Sequence, residues 1–290
     1  MKLIQTPREM LAQARIWREQ GLTIGLVPTM GWFHEGHLSL MRDALNRANR
    51  VVVSLFVNPI QFGPSEDLAA YPRDLERDRK LAAAEGVHVL YAPEAAAMYP
   101  QGFQTSIRVA DLSCGLCGAS RPGHFDGVCT VVMKLFQQTR SHFSIFGEKD
   151  FQQLAVIRRM SRDLDLDIEI IGHPIVREAD GLAMSSRNIY LKGQERQQAL
   201  SLVRTIDYAR QRVAEAAQPL VVRDLLAELG SRLVHEPGCR VDYVAIIDET
   251  TLRPAETVNP SCRLLLAVKI NDRVRLIDNA PLGGWNETAI

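Results

Sequence analysis

Apolar residues along the chain show two alternating textures: short unbroken runs, and longer stretches in which they recur every three or four positions. "LTIGLVPT" (22–29) and "VVVSLFVN" (51–58) are runs of the first kind, continuous and largely aliphatic, as strands buried on both faces require. Between them "HLSLMRDALNRANR" (37–50) sets Leu38, Met41 and Leu45 at helical spacing, so strand, helix and strand follow as a βαβ unit. A short amphipathic helix over 7–20 precedes it. The alternation continues with helix 73–85, strand 87–92, helix 128–138, strand 142–146, helix 149–164 and strand 167–176. Such an order predicts an α/β fold, a Rossmann-like doubly wound parallel sheet.

After about residue 180 the texture changes. A polar loop, "READGLAMSSRN", leads to helical stretches at 194–216 and 221–235 and to strands near 240–248, 262–270 and 273–278. The expected organisation is a Rossmann-like domain over 1–180 and a smaller α+β C-terminal domain over 181–290. With 290 residues, 46% hydrophobic and 23% charged, the chain can bury a substantial core. Lys plus Arg and Asp plus Glu both number 34, so no global field favours nucleic acid or an anionic membrane, and small molecules are the expected partners. No window holds the ~20 continuous apolar residues of a spanning helix, and the first 15 residues lack an apolar stretch of signal length. A cytoplasmic protein is expected. Five cysteines over this length make no disulfide framework, and the "CGLC" pair at 114–117 lacks a second pair at zinc-site spacing.

In a doubly wound sheet, ligands bind beyond the carboxyl ends of the strands, and three polar segments fall there: "PTMGWFHEGH", "NPIQF" and "FGEKD". His34 and His37 stand three residues apart at the opening of a helix, where free backbone N–H groups and the helix dipole favour an anion. A zinc-protease helix needs histidines four apart with Glu between them, and here the spacing is three with Gly36 inside. In "FGEKDFQQL", Gly147 permits close backbone approach and Lys149 supplies a point charge suited to phosphate. The same residues also suit a solvated helix start, with Glu148 and Asp150 favoured by the N-terminal dipole. "MSSRN" (184–188) groups two hydroxyls, a guanidinium and an amide, as a loop closing over polyphosphate would, or as a hydroxyl-rich turn would. Pro59, Pro64 and Pro72 stiffen the segment that carries Asn58 and Gln61, so Gln61 is a candidate for orienting a substrate. Asp78 lies on the helix after it. Neither a P-loop nor GxGxxG is present.

Together "VPTMGWFHEGHLSL", "FVNPIQF", "YPRDLERD", "RPGHFDGVCTVV", "FGEKDFQQL" and "VREADGLAMSSRNIYL" resemble the pantoate–β-alanine ligase family, part of the HxGH nucleotidyl-transferring superfamily. The resemblance spans residues 20 to 192 in order and continues more weakly to the end. It implies ATP-dependent condensation of (R)-pantoate with β-alanine through a pantoyl adenylate, with ATP and Mg²⁺, in a homodimer that takes neither nucleic acid nor membrane as partner. It further implies that the domain over 1–180 binds ATP and pantoate and that the domain over 181–290 is a lid. By the same resemblance ATP is bound by Met30, Gly31, His34, His37, Gly147, Glu148, Lys149, Asp150, Val176, Met184, Ser185, Ser186 and Arg187. His37, His34, Lys149 and Arg187 would be catalytic, Gln61, Gln153 and Asn58 would bind substrate, and Asp78 would be the metal position. Trp32-Phe33 stands where the family more usually has Ala-Leu. A sister nucleotidyltransferase that stops at the nucleotide adduct is the nearest rival, separated by whether AMP and an amide appear.

Overall fold

Thr6 ends the first strand and begins the first helix. Its hydroxyl oxygen accepts from the Glu9 amide, and Pro7 occupies a first-turn position whose missing N–H costs nothing, so β1 (Lys2–Ile4) gives way to α1 (Pro7–Glu19). In this computed structural model, which describes residues 1–64 and 66–283, β2 (Ile24–Thr29), α2 (Glu35–Arg47) and β3 (Arg50–Leu55) follow as the expected βαβ unit. Then come α3 (Leu75–Glu85), β4 (Val89–Tyr91), the short α4 (Ala95–Met98) and α5 (Cys117–Ser120), α6 (His124–Thr139), β5 (Phe143–Gly147), α7 (Phe151–Asp163) and β6 (Glu169–His173).

The six strands form one parallel sheet in the order β1-β4-β3-β2-β5-β6. From β2 the chain builds outward through β3 to β4, and then returns to β5 on the other side of β2. The switch in direction therefore lies between β2 and β5, where connections leaving the carboxyl ends diverge and open a crevice. Val27, Phe33, Met41, Val51, Val53, Leu90 and Ile145 pack as one apolar cluster with exposures of 0%. Losing a buried aromatic such as Phe33 costs about 3–5 kcal/mol. The edge strand β1 was not among the expected elements, since three residues carry no readable period.

The chain divides into two units, one holding Met1–Glu148 and Gln152–Val176, the other holding Lys149–Phe151 and everything from Arg177 onward. In the second unit α8 (Gln194–Ala199), α9 (Ser201–Glu215) and α10 (Val222–Val234) accompany an antiparallel sheet of β7 (Cys239–Asp248), β8 (Cys262–Ile270) and β9 (Val274–Pro281), in that order. The helix expected over 194–216 is interrupted at Leu200. Leu202, Ile206, Leu229, Leu233, Leu264, Leu266 and Val268 form this unit's own core. Among the described residues no helix is long and apolar enough to cross a membrane.

Two histidines begin strands of the first unit by accepting backbone amides: His142 Nδ1 takes the Ile24 N–H at 2.9 Å, and His88 Nδ1 takes that of Val51 at 3.1 Å. Both must be neutral to do so, and burial holds both imidazoles below their ordinary range. The unfolded chain then binds these protons first as pH falls, so their contribution is present above the unfolded value of about 6.5 and is lost below it, down through the depressed folded values. Urea midpoints should drop between pH 7.5 and 5.5, and the drop should shrink in His88→Asn/His142→Asn; an undiminished drop would assign it to other groups.

Candidate functional site

The chain leaves β2 at Thr29 and must enter α2 by Glu35. It does so through two successive left-handed residues, Gly31 (φ +88°) and Trp32 (φ +53°). Glycine adopts this region freely, whereas tryptophan pays roughly 1–2 kcal/mol. The compensation comes from α3. Asp78 is 1% exposed, and its Oδ2 accepts the Trp32 N–H at 2.6 Å while Oδ1 accepts that of Phe33 at 2.8 Å. Arg77 donates to Asp78 Oδ1 at 3.2 Å and to the Phe33 carbonyl at 2.8 Å, and its guanidinium lies 4.8 Å from the Trp32 ring centroid. A Cβ at position 31 would stand 3.0 Å from Asp78 Oδ2, so glycine is required there by space as well as by conformation.

Asp78, the position at which the resemblance implies a metal, is thus also the residue that holds this turn. Burial pushes its carboxyl above the ordinary range, with the Phe33 and Trp32 amides pulling it back. Both oxygens accept hydrogen bonds from within the fold, Oδ1 from Phe33 and Arg77 and Oδ2 from Trp32. Among the described residues, no group of three His, Cys, Asp or Glu side chains is placed to hold a metal ion.

The turn delivers His34 as N-cap of α2, with an extended backbone, and His37 in the helix's first turn. The His34 N–H donates to His37 Nδ1 at 3.4 Å, and the two rings lie 4.1 Å apart, tilted by 39°. A ring whose Nδ1 accepts carries its proton on Nε2. His37 is thereby a neutral N–H donor at a helix N-terminus, the place where an anion is most favoured.

After β3 a single 3-10 turn, Pro59–Gln61, presents Gln61. Its amide is held at both ends: Oε1 accepts from Asn58 Nδ2 at 3.0 Å, and Nε2 points to Met30 Sδ at 3.1 Å. Asn58 is 1% exposed; Nδ2 also donates to the Gly127 carbonyl at 3.0 Å, and Oδ1 accepts from the Tyr99 hydroxyl at 2.7 Å. Asn58 was expected to touch substrate. In the structure its amide orients Gln61. Gly127 lets α6 pass against this turn, since a Cβ there would fall 2.7 Å from the Gln61 backbone nitrogen.

His124 supports the same turn from α6. Arg121 donates to Nε2 at 2.9 Å, so Nδ1 carries the proton and donates to the Gln61 carbonyl at 2.8 Å. Arg121 is paired in turn with both oxygens of Glu66. Burial alone would raise the Glu66 carboxyl, and the Arg121 hydrogen bonds and charge outweigh it, holding it below the ordinary range.

Gly147 ends β5, Glu148 opens the 3-10 turn Glu148–Asp150, Val176 follows β6 half-buried, and Gln153 stands half-buried in the first turn of α7. Its neighbour Gln152 is structural: its side chain donates to the Leu112 and Gly115 carbonyls and accepts from the Cys117 amide. Lys149 and Asp150 belong to the second unit, as do Met184 through Arg187. There Ser185 Oγ accepts the Arg187 amide at 3.3 Å, while Asn188 donates to Glu178 at 2.6 Å and Arg196 grips Glu178 and Asp180, each at 2.7 Å, tying down the base of the loop. Contacts thus pair Met30 with Gln61 and His34 with His37 in the first unit, while Lys149 and the serine-arginine loop both belong to the second. Tyr99 lies outside every motif quoted from the sequence, whereas Arg77 and Arg121 lie within "YPRDLERD" and "RPGHFDGVCTVV" but have no role readable there, because their partners are distant in the chain.

A family model described as pantoate-beta-alanine ligase matches residues 2–281. A pantothenate synthetase of Heliobacterium modesticaldum is 54% identical over 280 residues, covering 96% of this chain and 98% of the relative. The crystal structure of pantothenate synthetase from Thermus thermophilus is similar with a TM-score of 0.90 at 43% identity, covering 98% of this chain and 100% of that one. A pantoate-beta-alanine ligase from Francisella tularensis, complexed with beta-gamma ATP and beta-alanine, is similar with a TM-score of 0.76 at 31% identity, over 97% and 98% of the two chains.

Asp78→Asn keeps the side chain's size but turns an NH₂ toward one of two backbone N–H groups. The loss should be about 1–3 kcal/mol, the cost of leaving a buried donor unsatisfied. Hydrogen exchange at the Trp32 and Phe33 amides should quicken. Unchanged exchange at both amides would mean that the carboxylate does not clamp the turn.

Proposed function

The chain belongs to the pantoate-β-alanine ligase family, and from that membership we propose how it joins acid to amine: in two half-reactions at the histidine turn, through an acyl adenylate. It is an ATP-dependent ligase. The observation that carries the two-step reading is the His34–His37 pair, a neutral Nε2–H donor beside a second imidazole at the N-terminus of α2, together with Gln61, whose amide is held by Asn58 and Met30. A carboxylate resists attack by an amine because its leaving group would be an oxide, so it must first be given a better one.

In the first half-reaction a pantoate carboxylate oxygen, oriented by Gln61 and Gln153, attacks the α-phosphorus of ATP. The O–P bond to the adenylate forms as the bond from the α-phosphorus to the bridging oxygen breaks, and pyrophosphate leaves with that electron pair. Negative charge grows on the α-phosphate oxygens and on the leaving group, so the useful side chains are fixed donors and cations. His34 and His37 supply N–H donors, Lys149 and Arg187 supply positive charge, and Ser185 and Ser186 supply hydroxyls. In the second half-reaction the neutral amine of β-alanine attacks the acyl carbon, loses a proton to solvent as the C–N bond forms, and AMP departs with the C–O electron pair. Holding reactants in near-attack geometry can supply roughly 7–11 kcal/mol of such barriers.

In this reading Mg²⁺ enters as part of the MgATP substrate, carried on the phosphates, with Asp78 as the candidate metal position of this chain. The same reading puts the enzyme in the cytoplasm as a homodimer; all five cysteines are free, in keeping with a reducing compartment. A monomer mass in sedimentation equilibrium would remove the dimer.

ATP–pyrophosphate exchange with (R)-pantoate present and β-alanine withheld tests the intermediate: exchange that requires pantoate is expected. Its absence in protein that makes amide and AMP would favour one concerted step. His37→Ala should lower turnover by ~10²–10³, the range for losing one preorganised donor, with the fold intact. Near-normal turnover in that variant would take His37 out of the chemistry.

A further inference from the structure

Lys149, Asp150 and Phe151 lie in sequence between β5 and the body of α7, yet they belong to the second unit. Two buried polar residues on neighbouring strands hold them there. Asn279, on β9, is 2% exposed and donates from Nδ2 to the Lys149 carbonyl at 2.9 Å. Its Oδ1 accepts from Nη1 of Arg263, on β8, at 2.6 Å. Arg263 is itself buried; its guanidinium lies 4.1 Å from the Phe151 ring centroid, and its Nε donates to Glu249 at 2.7 Å.

β8 is otherwise a strand of buried aliphatic residues, "LLLAV" at 264–268. An amide and a guanidinium are costly to bury in such a place unless partnered. Besides each other and Glu249, their partners include the backbone and ring of a three-residue segment that is distant in sequence. Next to them, Asp278 accepts the Asn279 amide at 2.8 Å and pairs through both oxygens with Arg177, the residue at which the chain enters the second unit for good. The Asp278-Asn279 pair therefore fastens both points at which the chain joins this unit.

We propose that Asn279, backed by Arg263, is a positioning residue for Lys149: it fixes the backbone from which the lysine reaches the nucleotide phosphates. The inference rests on the phosphate-binding role given to Lys149 above. It makes Lys149 a member of the same folded unit as Ser185, Ser186 and Arg187, so that the unit's own sheet sets where the lysine's backbone starts. It also accounts for an asparagine at this place in β9: a donor is needed toward Lys149 and an acceptor toward Arg263, and only an amide side chain of this length offers both.

Asn279→Asp isolates the contact, because it keeps the shape and the acceptor for Arg263 but has no donor for the Lys149 carbonyl. kcat/KM for ATP should fall by about 10- to 10²-fold, the scale of an ångström-sized misplacement, while the KM for β-alanine stays near its original value. Asn279→Ala should behave alike, and it replaces the aspartate variant if circular dichroism shows that the latter does not fold. The deciding comparison is with Lys149→Ala and the double variant Asn279→Asp/Lys149→Ala. If Asn279 acts through the lysine, the double variant is no slower than Lys149→Ala alone. Multiplying losses would overturn the proposal, since Asn279 would then serve the fold independently. Asn279→Asp at full activity beside an impaired Lys149→Ala would also overturn it, leaving the lysine's role standing. Lys149→Ala at full activity would instead remove the premise.

Discussion

The Asp78 carboxylate accepts the amides of Trp32 and Phe33, and the opening of the crevice depends on that pair of hydrogen bonds. β2 ends facing the wrong way for a helix to begin, and the reversal requires a left-handed tryptophan, which no local preference supplies. A buried carboxylate with two backbone donors stabilises it, and the Arg77 guanidinium closes the other side of the turn. Phe33 is then driven into the core while His34 and His37 are left at its edge. The same loop thus ties a fully buried ring to two half-buried ones. Any shift of the turn has to move Phe33 out of contact with Leu40, Met41 and Val53, which is why the histidines inherit the rigidity of the core.

Elsewhere too, the side chains proposed to meet substrate are backed by others that do not. Gln61 is oriented by Asn58, which is oriented by Tyr99; its carbonyl is held by His124, which is held by Arg121 and Glu66. Each such hydrogen bond contributes a net stability of only about 0.5–1.5 kcal/mol. That is too little to explain so many polar groups in a buried place, where a missing partner costs more than a present one contributes. Their effect is on geometry: an amide that has donor and acceptor fixed at both ends cannot rotate, and a substrate-orienting group is useful in proportion to how little it can move.

How much could be read in the sequence follows from the range over which each feature is determined. The strands at 51–58 and 262–270 are legible because burial on both faces leaves nearly unbroken aliphatic runs, and the observed bounds differ from the expected ones by three residues at most. β1 was not legible: it has three residues and a single neighbour, β4, that arrives only at Val89. α6 begins four residues before the expected 128 because Gly123, in a left-handed conformation, lets it start through "HFDG", whose Asp and Gly do not read as helix. The histidines, Gln61 and Lys149 stood out because their chemistry is written locally, as short polar motifs after apolar runs. The work of Asp78 and Asn58 was not, because their partners are Trp32, Phe33, Tyr99 and Gly127, more than 40 residues away in the chain.

The difference between an anion site and a metal site at "HEGH" also comes down to backbone geometry. Two histidines on one helix face converge on an ion when each offers a ring nitrogen with its lone pair directed outward. Here His34 is not on a helix face at all. It is the N-cap, with φ −133° and ψ 175°, and its own N–H turns inward to His37 Nδ1. That contact takes the lone pair of one imidazole nitrogen and leaves the proton of a neutral ring on the other, Nε2. A donor repels a cation and welcomes a phosphate oxygen, and the positive end of the α2 dipole favours the same charge. The spacing of three instead of four is thus the visible trace of a cap, and the cap decides which charge the site can accept.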